Sequence, residues 1–178
     1  ARVFFPVEVL RTLMSDIAME RRGAWGGMDL PTATPPRELV AALGRALDLL
    51  ASDAVFALAC ECLDSAKSDT LKGVLIPYIK RWAAGQEGTL ATLLGRAGPS
   101  LGTFIIELFV EMKTREATAG LEQALANPNI EVKLAGLAAM GENIGERGRD
   151  DVSTLVDAPD VATRMTALDL VASLGVVV

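Results

Sequence analysis

The sequence predicts an all-α protein built from antiparallel helix pairs stacked in chain order, and three observations predict it. The first is an internal repeat. Leu121, Leu125, Pro128, Ile130, Lys133 and Leu137 are answered, each 31 positions on, by Val152, Val156, Pro159, Val161, Arg164 and Leu168. A helical pattern that recurs at a fixed interval marks a unit unable to bury its apolar face alone, which therefore stacks on its neighbours. The second is composition: 51% of residues are hydrophobic but only 4% aromatic, with Ala and Leu prominent, a mixture suited to close-packed helices rather than β-sandwiches. The third is punctuation, because residues that cap helices and prolines that open them fall just before each stretch of helical apolar period. A length of 178 residues suits one continuous array over 1–178 better than two independent cores.

A first helix is expected over 6–21, with Val9, Leu10, Leu13, Met14 and Ile17 on one stripe. The segment 22–36 is rich in Gly and Pro but also holds Trp25, Met28 and Leu30, so it is expected to be an ordered loop that folds back and packs. Thr34 caps a helix over 35–50, and Ser52 opens a third that runs to 63. Ser68 opens a fourth over 69–83, in which Pro77 removes one backbone hydrogen bond and is expected to bend the helix. Beyond it, short helices over 87–94, 116–126 and 151–156 alternate with longer ones over 101–113, 128–144 and 159–174. The charged stretch 141–151 reads as a solvated turn, with Asp150 or Asp151 capping the next helix. That makes about ten helices in five hairpins.

The helix over 101–113 stands apart. Phe104, Ile105, Ile106, Leu108, Phe109, Val110 and Met112 leave only Glu107 and Glu111 as a polar line. A helix apolar nearly all round is buried on several sides, or else gives Ile106, Phe109 or Val110 to a groove that receives a partner helix.

The run from Leu125 to Gly141, with Asn127, Pro128, Val132, Lys133, Leu134 and Leu137 in their order, resembles the HEAT repeat, in particular the short bacterial kind first described in phycobilisome lyases. There the pattern is Leu, a small residue, Asp-Pro, then Val-Arg, Ala and Leu at helical spacing, closing on Gly. Here Asn127 stands for the Asp and Lys133 for the Arg. The following unit departs from it, with Thr163 for the Val and Asp157 one residue early relative to Arg164. The resemblance covers about a third of the chain and implies a right-handed α-α superhelix of hairpins, first helices on the convex side and second helices on the concave side. It also implies that Lys72, Asn127, Lys133, Asp157 and Arg164 tie one repeat to the next.

Charge and cysteine content limit the function classes. A net charge of −6 and a sequence pI near 4.7 disfavour nucleic acid and anionic membranes, which need clustered Lys and Arg. Cys60 and Cys62 lie two apart, roughly 200° around a helix, and do not bridge. Buried reduced thiols, no basic-then-apolar leader and no apolar run near the membrane-spanning length lead to the expectation of a cytoplasmic protein without membrane insertion. The chain starts at Ala1 and stops after Val176, Val177 and Val178, ends that read as cut from something longer.

With no histidine in the chain, Ser-His-Asp and Cys-His catalysis and the usual Cys/His zinc sites are excluded, so no catalytic, cofactor-binding or metal-ligating set is expected. The carboxylate pairs Glu107/Glu111 and Asp150/Asp151 read as solvated charge, and the glycines between Gly95 and Gly102 as an inter-helix turn. The expectation is a non-enzymatic scaffold or adaptor for a protein partner or for further domains of a longer chain. Its candidate contact residues are Trp25, Tyr78, Lys80, Arg81 and Phe109, because aromatic and Arg side chains dominate interface energies. Tyr78 and Trp82, four apart, have the plainer alternative of lining the core. The competing functional reading is a HEAT-like enzyme, lyase-type or glycosylase-like, that works through a carboxylate in the concave groove beside Trp82 or Tyr78.

Overall fold

The computed structural model describes residues 7–18, 37–67, 69–141 and 146–174, and every regular element among them is helical. Trp25 and Leu30 in the loop over 22–36, and the expected caps Thr34 and Ser68, lie outside the described residues. The helices gather into two compact units, Ala1–Gln86 and Glu87–Val178.

The first unit holds α1 (Val7–Ala18), α2 (Arg37–Leu49), α3 (Asp53–Ser65) and α4 (Asp69–Trp82). Helix α1 packs on α3, α2 on α4, and α3 on α4. Apolar residues at helical spacing meet between them: Met14 from α1, Leu43 and Leu47 from α2, Phe56 from α3, and Leu71, Leu75 and Ile79 from α4 are all buried. Each such side chain contributes about 1.5–3 kcal/mol through removal from water. Ser52 caps α3 as expected, its hydroxyl accepting from the Val55 amide at 3.4 Å. Helix α4 runs unbroken through Pro77. Both Pro77 and Gly73, whose carbonyl loses its partner there, are exposed, so the freed acceptor stands on the wet side of the helix. Polar ties sit on the rim. Arg81 meets Asp48 at 2.9 Å and Arg11 meets Glu61 at 3.4 Å, exposed pairs worth at most about 1 kcal/mol each.

The second unit holds α5 (Glu87–Leu94), α6 (Pro99–Met112), α7 (Arg115–Gly120), a 3₁₀ helix (Leu121–Ala126), α8 (Ile130–Met140), α9 (Glu146–Val156) and α10 (Val161–Leu174). Helix α6 is buried on several sides, through Leu101, Ile105, Ile106, Leu108 and Phe109, while Val110 is exposed. The helix expected over 116–126 is two elements. It tightens to 3₁₀ at Leu121, which turns Leu121, Ala124 and Leu125 inward against α8. Small residues make that packing close. A β-carbon built on Gly120 would fall 2.7 Å from the Phe109 ring, one on Gly102 2.6 Å from Val132, and one on Gly136 onto the β-carbon of Ala124.

Two sequence expectations are corrected here. The stretch 141–151 is not wholly a turn, since α9 starts at Glu146 and carries Asp150 and Asp151 inside it rather than at its cap. The 31-residue correspondence carries burial at most positions, as at Leu121 and Val152, both buried, and Ile130 and Val161, both exposed, but not at its last pair. Leu137 is 0% exposed, but its counterpart Leu168 is 46% exposed, because α10 turns Thr163, Ala167 and Leu170 inward and leaves Val161, Met165 and Leu168 on one open stripe.

Helix α6 ends at Lys113, which takes a left-handed conformation with φ 53° and donates its N–H to the Phe109 carbonyl. A side chain there costs about 1–2 kcal/mol relative to glycine. Lys113→Gly is accordingly expected to raise stability by about 1 kcal/mol in urea or thermal melts. An unchanged or lower midpoint would mean that the lysine side chain makes up for its backbone.

Candidate functional site

Two clefts formed by described residues stand out, one in each unit. That of the second unit, about 520 Å³, lies where the end of α6 meets α7, the 3₁₀ helix and the end of α8. Its floor is apolar, with Phe109, Leu121 and Met140 buried, and Val110 stands exposed at its edge. Lys113 and Arg115, flanking the turn that the left-handed residue makes, put two exposed positive charges on the rim, with one exposed carboxylate, Glu122, among the lining residues. An apolar floor with a mostly basic rim fits apolar side chains accompanied by carboxylates.

The cleft of the first unit is smaller, about 170 Å³, and sits where the start of α3 faces the end of α4. Ser52, Asp53, Phe56, Tyr78, Trp82 and Gln86 line it. Phe56 and Tyr78 are buried, whereas Trp82 is 42% exposed and its ring lies 6.5 Å from that of Tyr78 at 44°. The Gln86 amide donates to Asp53 Oδ1 at 2.7 Å. The Tyr78 hydroxyl is buried without a hydrogen-bond partner, and burial, then the charge of Asp48, then Cys60, push its pKa upward.

Of the expected contact residues, Trp25 is outside the described residues. Tyr78 and Phe109 are 4% and 2% exposed, so each forms the wall or floor of a cleft instead of projecting from a surface. Their spacing puts them on the inward stripe of their helices. Lys80 and Arg81 are exposed, and Arg81 is held by Asp48. Sequence reasoning named Val110 as a candidate groove residue but missed Lys113 and Arg115, although basic residues just after a largely apolar helix were a usable signal. It had no means of bringing Ser52 and Asp53 to Trp82.

The expected inter-repeat residues divide. Asn127, 1% exposed, sends its side-chain amide to the carbonyls of Leu94 at 2.6 Å and Ala97 at 3.0 Å, in the turn before α6. Its oxygen accepts from the Asn129 amide at 2.7 Å, so one side chain fastens two turns. Arg164 instead donates within its own turn, to the carbonyls of Ala158 and Pro159. Lys72 and Lys133 bond no side chain among the described residues. Asp157 is exposed and caps nothing. The caps of α8 and α10 are Asn129, accepting from Glu131 and Val132, and Asp160, accepting from the Thr163 amide and hydroxyl, which hold its carboxyl below the usual aspartate range. A capping oxygen must sit at the residue that immediately precedes the first turn, and Asp157 lies three residues too early.

Cys60 and Cys62 are free thiols, the first buried and pushed up to about 12 by burial and then by Glu61, so it is no thiolate nucleophile near neutral pH. Among the described residues no three Cys, Asp or Glu side chains come together as a metal site, and no helix is long and apolar enough to cross a membrane. No protein-family model matches the chain, and comparisons with curated proteins and with solved structures find no similar protein.

Proposed function

We propose that this chain is a non-enzymatic interaction module that offers a helical surface to a protein partner. The observation that carries the reading is the second unit's cleft, whose buried floor of Phe109, Leu121 and Met140 is open beside the exposed Val110 and rimmed by Lys113 and Arg115. The partner it fits is an acidic amphipathic segment that seats apolar side chains on the floor and carboxylates on the rim. The order in which helices touch within each unit supports the scaffold reading. First helices lean on first helices, α1 on α3 and α5 on α7, and second helices on second, α2 on α4, α6 on α8 and α8 on α10. Side-chain ties recur at a separation of 33 residues, Asp48 to Arg81, Asp53 to Gln86 and Leu94 to Asn127. The free thiols accord with a reducing, cytoplasmic setting.

One observation favours the enzyme reading: Asp53 lines a cleft beside Tyr78 and Trp82. At about 170 Å³ that cleft is smaller than the roughly 300–1,000 Å³ of usual small-molecule sites. Binding is the better account.

The test is affinity capture from native lysate with wild-type chain, Val110→Glu and Arg81→Ala side by side, with melting curves for each. Both side chains are exposed, so both variants are expected to melt within about 0.5–1 kcal/mol of wild type. A partner held by wild type and Arg81→Ala but lost by Val110→Glu supports the reading. A partner indifferent to Val110→Glu moves the interface elsewhere.

A further inference from the structure

We propose that the open face of the layer made by α6, α8 and α10 docks a basic amphipathic helix of a protein partner. The surface lies in the second unit, apart from the cleft at the end of α6, and the reasons for it are independent of that cleft.

The three helices lie side by side, α6 on α8 and α8 on α10. Their register repeats every 31 residues. Leu101 and Ile105 of α6, Val132 and Gly136 of α8, and Thr163 and Ala167 of α10 are all buried. A β-carbon built on Gly102 falls against Val132, which sets those two helices level. The opposite sides of the helices are open in the same register. Glu107, Ala138 and Asp169 form one exposed row, and Thr103, Leu134 and Met165, with Leu134 half-buried, form the next. Behind α8 and α10 stand the 3₁₀ helix and α9, so these rows look away from them.

This face is more apolar than a solvated helix face. On it or at its lip Ile130 is 41% exposed, Val161 61%, Met165 57% and Leu168 46%. Apolar side chains left bare on two neighbouring helices form the kind of contiguous patch that marks an interaction surface.

Charge selects the occupant. Every exposed charged side chain on α6, α8 and α10 is an acid, namely Glu107, Glu111, Glu131 and Asp169. The two cations on these helices, Lys133 and Arg164, are half-buried. Lys133 stands two residues from Glu131, about 200° around the helix, and Arg164 donates to the carbonyls of Ala158 and Pro159. Glu107 and Asp169 are two helix spacings apart, roughly 16–20 Å, with Leu134 and Ala138 between them. A partner helix laid across the layer meets both acids with cations at i and i+11, about 16.5 Å apart on one side, and sets apolar residues at i+4 and i+7 on the middle. An extended segment would find no strand edge among the described residues to satisfy its backbone, whereas a helix brings its own hydrogen bonds.

The experiment is fluorescence anisotropy with the full chain and a labelled, capped, helix-forming peptide that has Lys at i and i+11, Leu at i+4 and i+7, and Ala and Gln elsewhere. Two controls accompany it, the same peptide with Glu for both Lys, and one of the same composition whose Leu and Lys share no face. The Lys peptide is expected to bind saturably, at least about tenfold more tightly than either control, and to weaken as salt is added. Glu107→Lys and Asp169→Lys are each expected to weaken it about tenfold without lowering the melting midpoint, since both side chains are exposed. Asp150→Lys makes the same charge change at an exposed position of α9, in the other layer, and is expected to leave the affinity within about twofold. Equal binding of the Glu or the faceless peptide, or an Asp150→Lys loss as large as that of Asp169→Lys, would overturn the proposal. So would a chain that sediments as a dimer and takes up no peptide, since a second copy would then cover the face.

Discussion

Asn127→Ala is expected to cost about 3 kcal/mol of stability, among the largest effects of any polar substitution in the chain. The side chain is 1% exposed and makes three hydrogen bonds, donating to the carbonyls of Leu94 and Ala97 and accepting from the Asn129 amide. Truncation leaves two carbonyls and one N–H in a dry turn, and the price of stranded buried groups exceeds the net worth of the bonds that satisfied them. Asn127→Asp is the sharper experiment. The HEAT-type pattern has Asp at this place, so a sequence comparison would forecast an improvement. The structure forecasts a loss, because both outgoing bonds come from Nδ2, and a carboxylate would instead face two carbonyl oxygens. That carboxyl's folded pKa would be raised above its unfolded value. The penalty is therefore largest above the unfolded aspartate range and eases as pH falls through the folded pKa and the group takes up a proton. Urea melts of the two variants at several pH values measure both effects. An Asn127→Asp variant as stable as wild type would show that the turn before α6 does not depend on those donors.

Gly136→Ala is expected to destabilise by about 1–3 kcal/mol, although the same change at an open helical site stabilises by about 0.5–1 kcal/mol. A methyl group at 136 falls on the β-carbon of Ala124, and a side chain of one atom has no rotamer by which to yield, so α8 and the 3₁₀ helix must move apart. Gly73 is the internal control. It is exposed in the middle of α4, with nothing within 4 Å of a built β-carbon, and Gly73→Ala should raise the midpoint. Opposite signs for the two variants in thermal melts are the expected result. The same sign at both would mean that α8 and its neighbour are not packed as described.

Much of the fold was legible because it is written in local patterns. The all-helical class, the hydroxyl cap at Ser52 and the burial of α6 come from period, cap chemistry and composition, each a matter of a few neighbouring residues. What escaped was set by tertiary contact. Helix α9 begins with charged residues that read as a solvated turn, and only Val152 and Leu155, buried later in it, reveal its inner face. Leu168 resembles Leu137 in the sequence, yet one is open and the other closed, since exposure depends on what lies against a helix. Asn127 was identified as a tie from its resemblance, but its donors and their targets, 30 and 33 residues away, were not. The cleft that gathers Ser52, Asp53 and Phe56 with Tyr78 and Trp82 lies beyond any spacing rule. Phe109 and Tyr78 were chosen for their chemistry, and the packing turned both inward.

The order in which helices touch has a kinetic corollary. Within each unit most contacts join helices adjacent or next-but-one along the chain, as α3 with α4 and α6 with α8 do, while α1 with α4 and α5 with the 3₁₀ helix skip two elements. Bringing such partners together closes only short loops, and chains of that topology cross their folding barrier in times on the order of microseconds to milliseconds. Stopped-flow refolding should therefore lose most of its amplitude in the mixing dead time, and amide exchange should be fastest in the helices that have a neighbour on one side only.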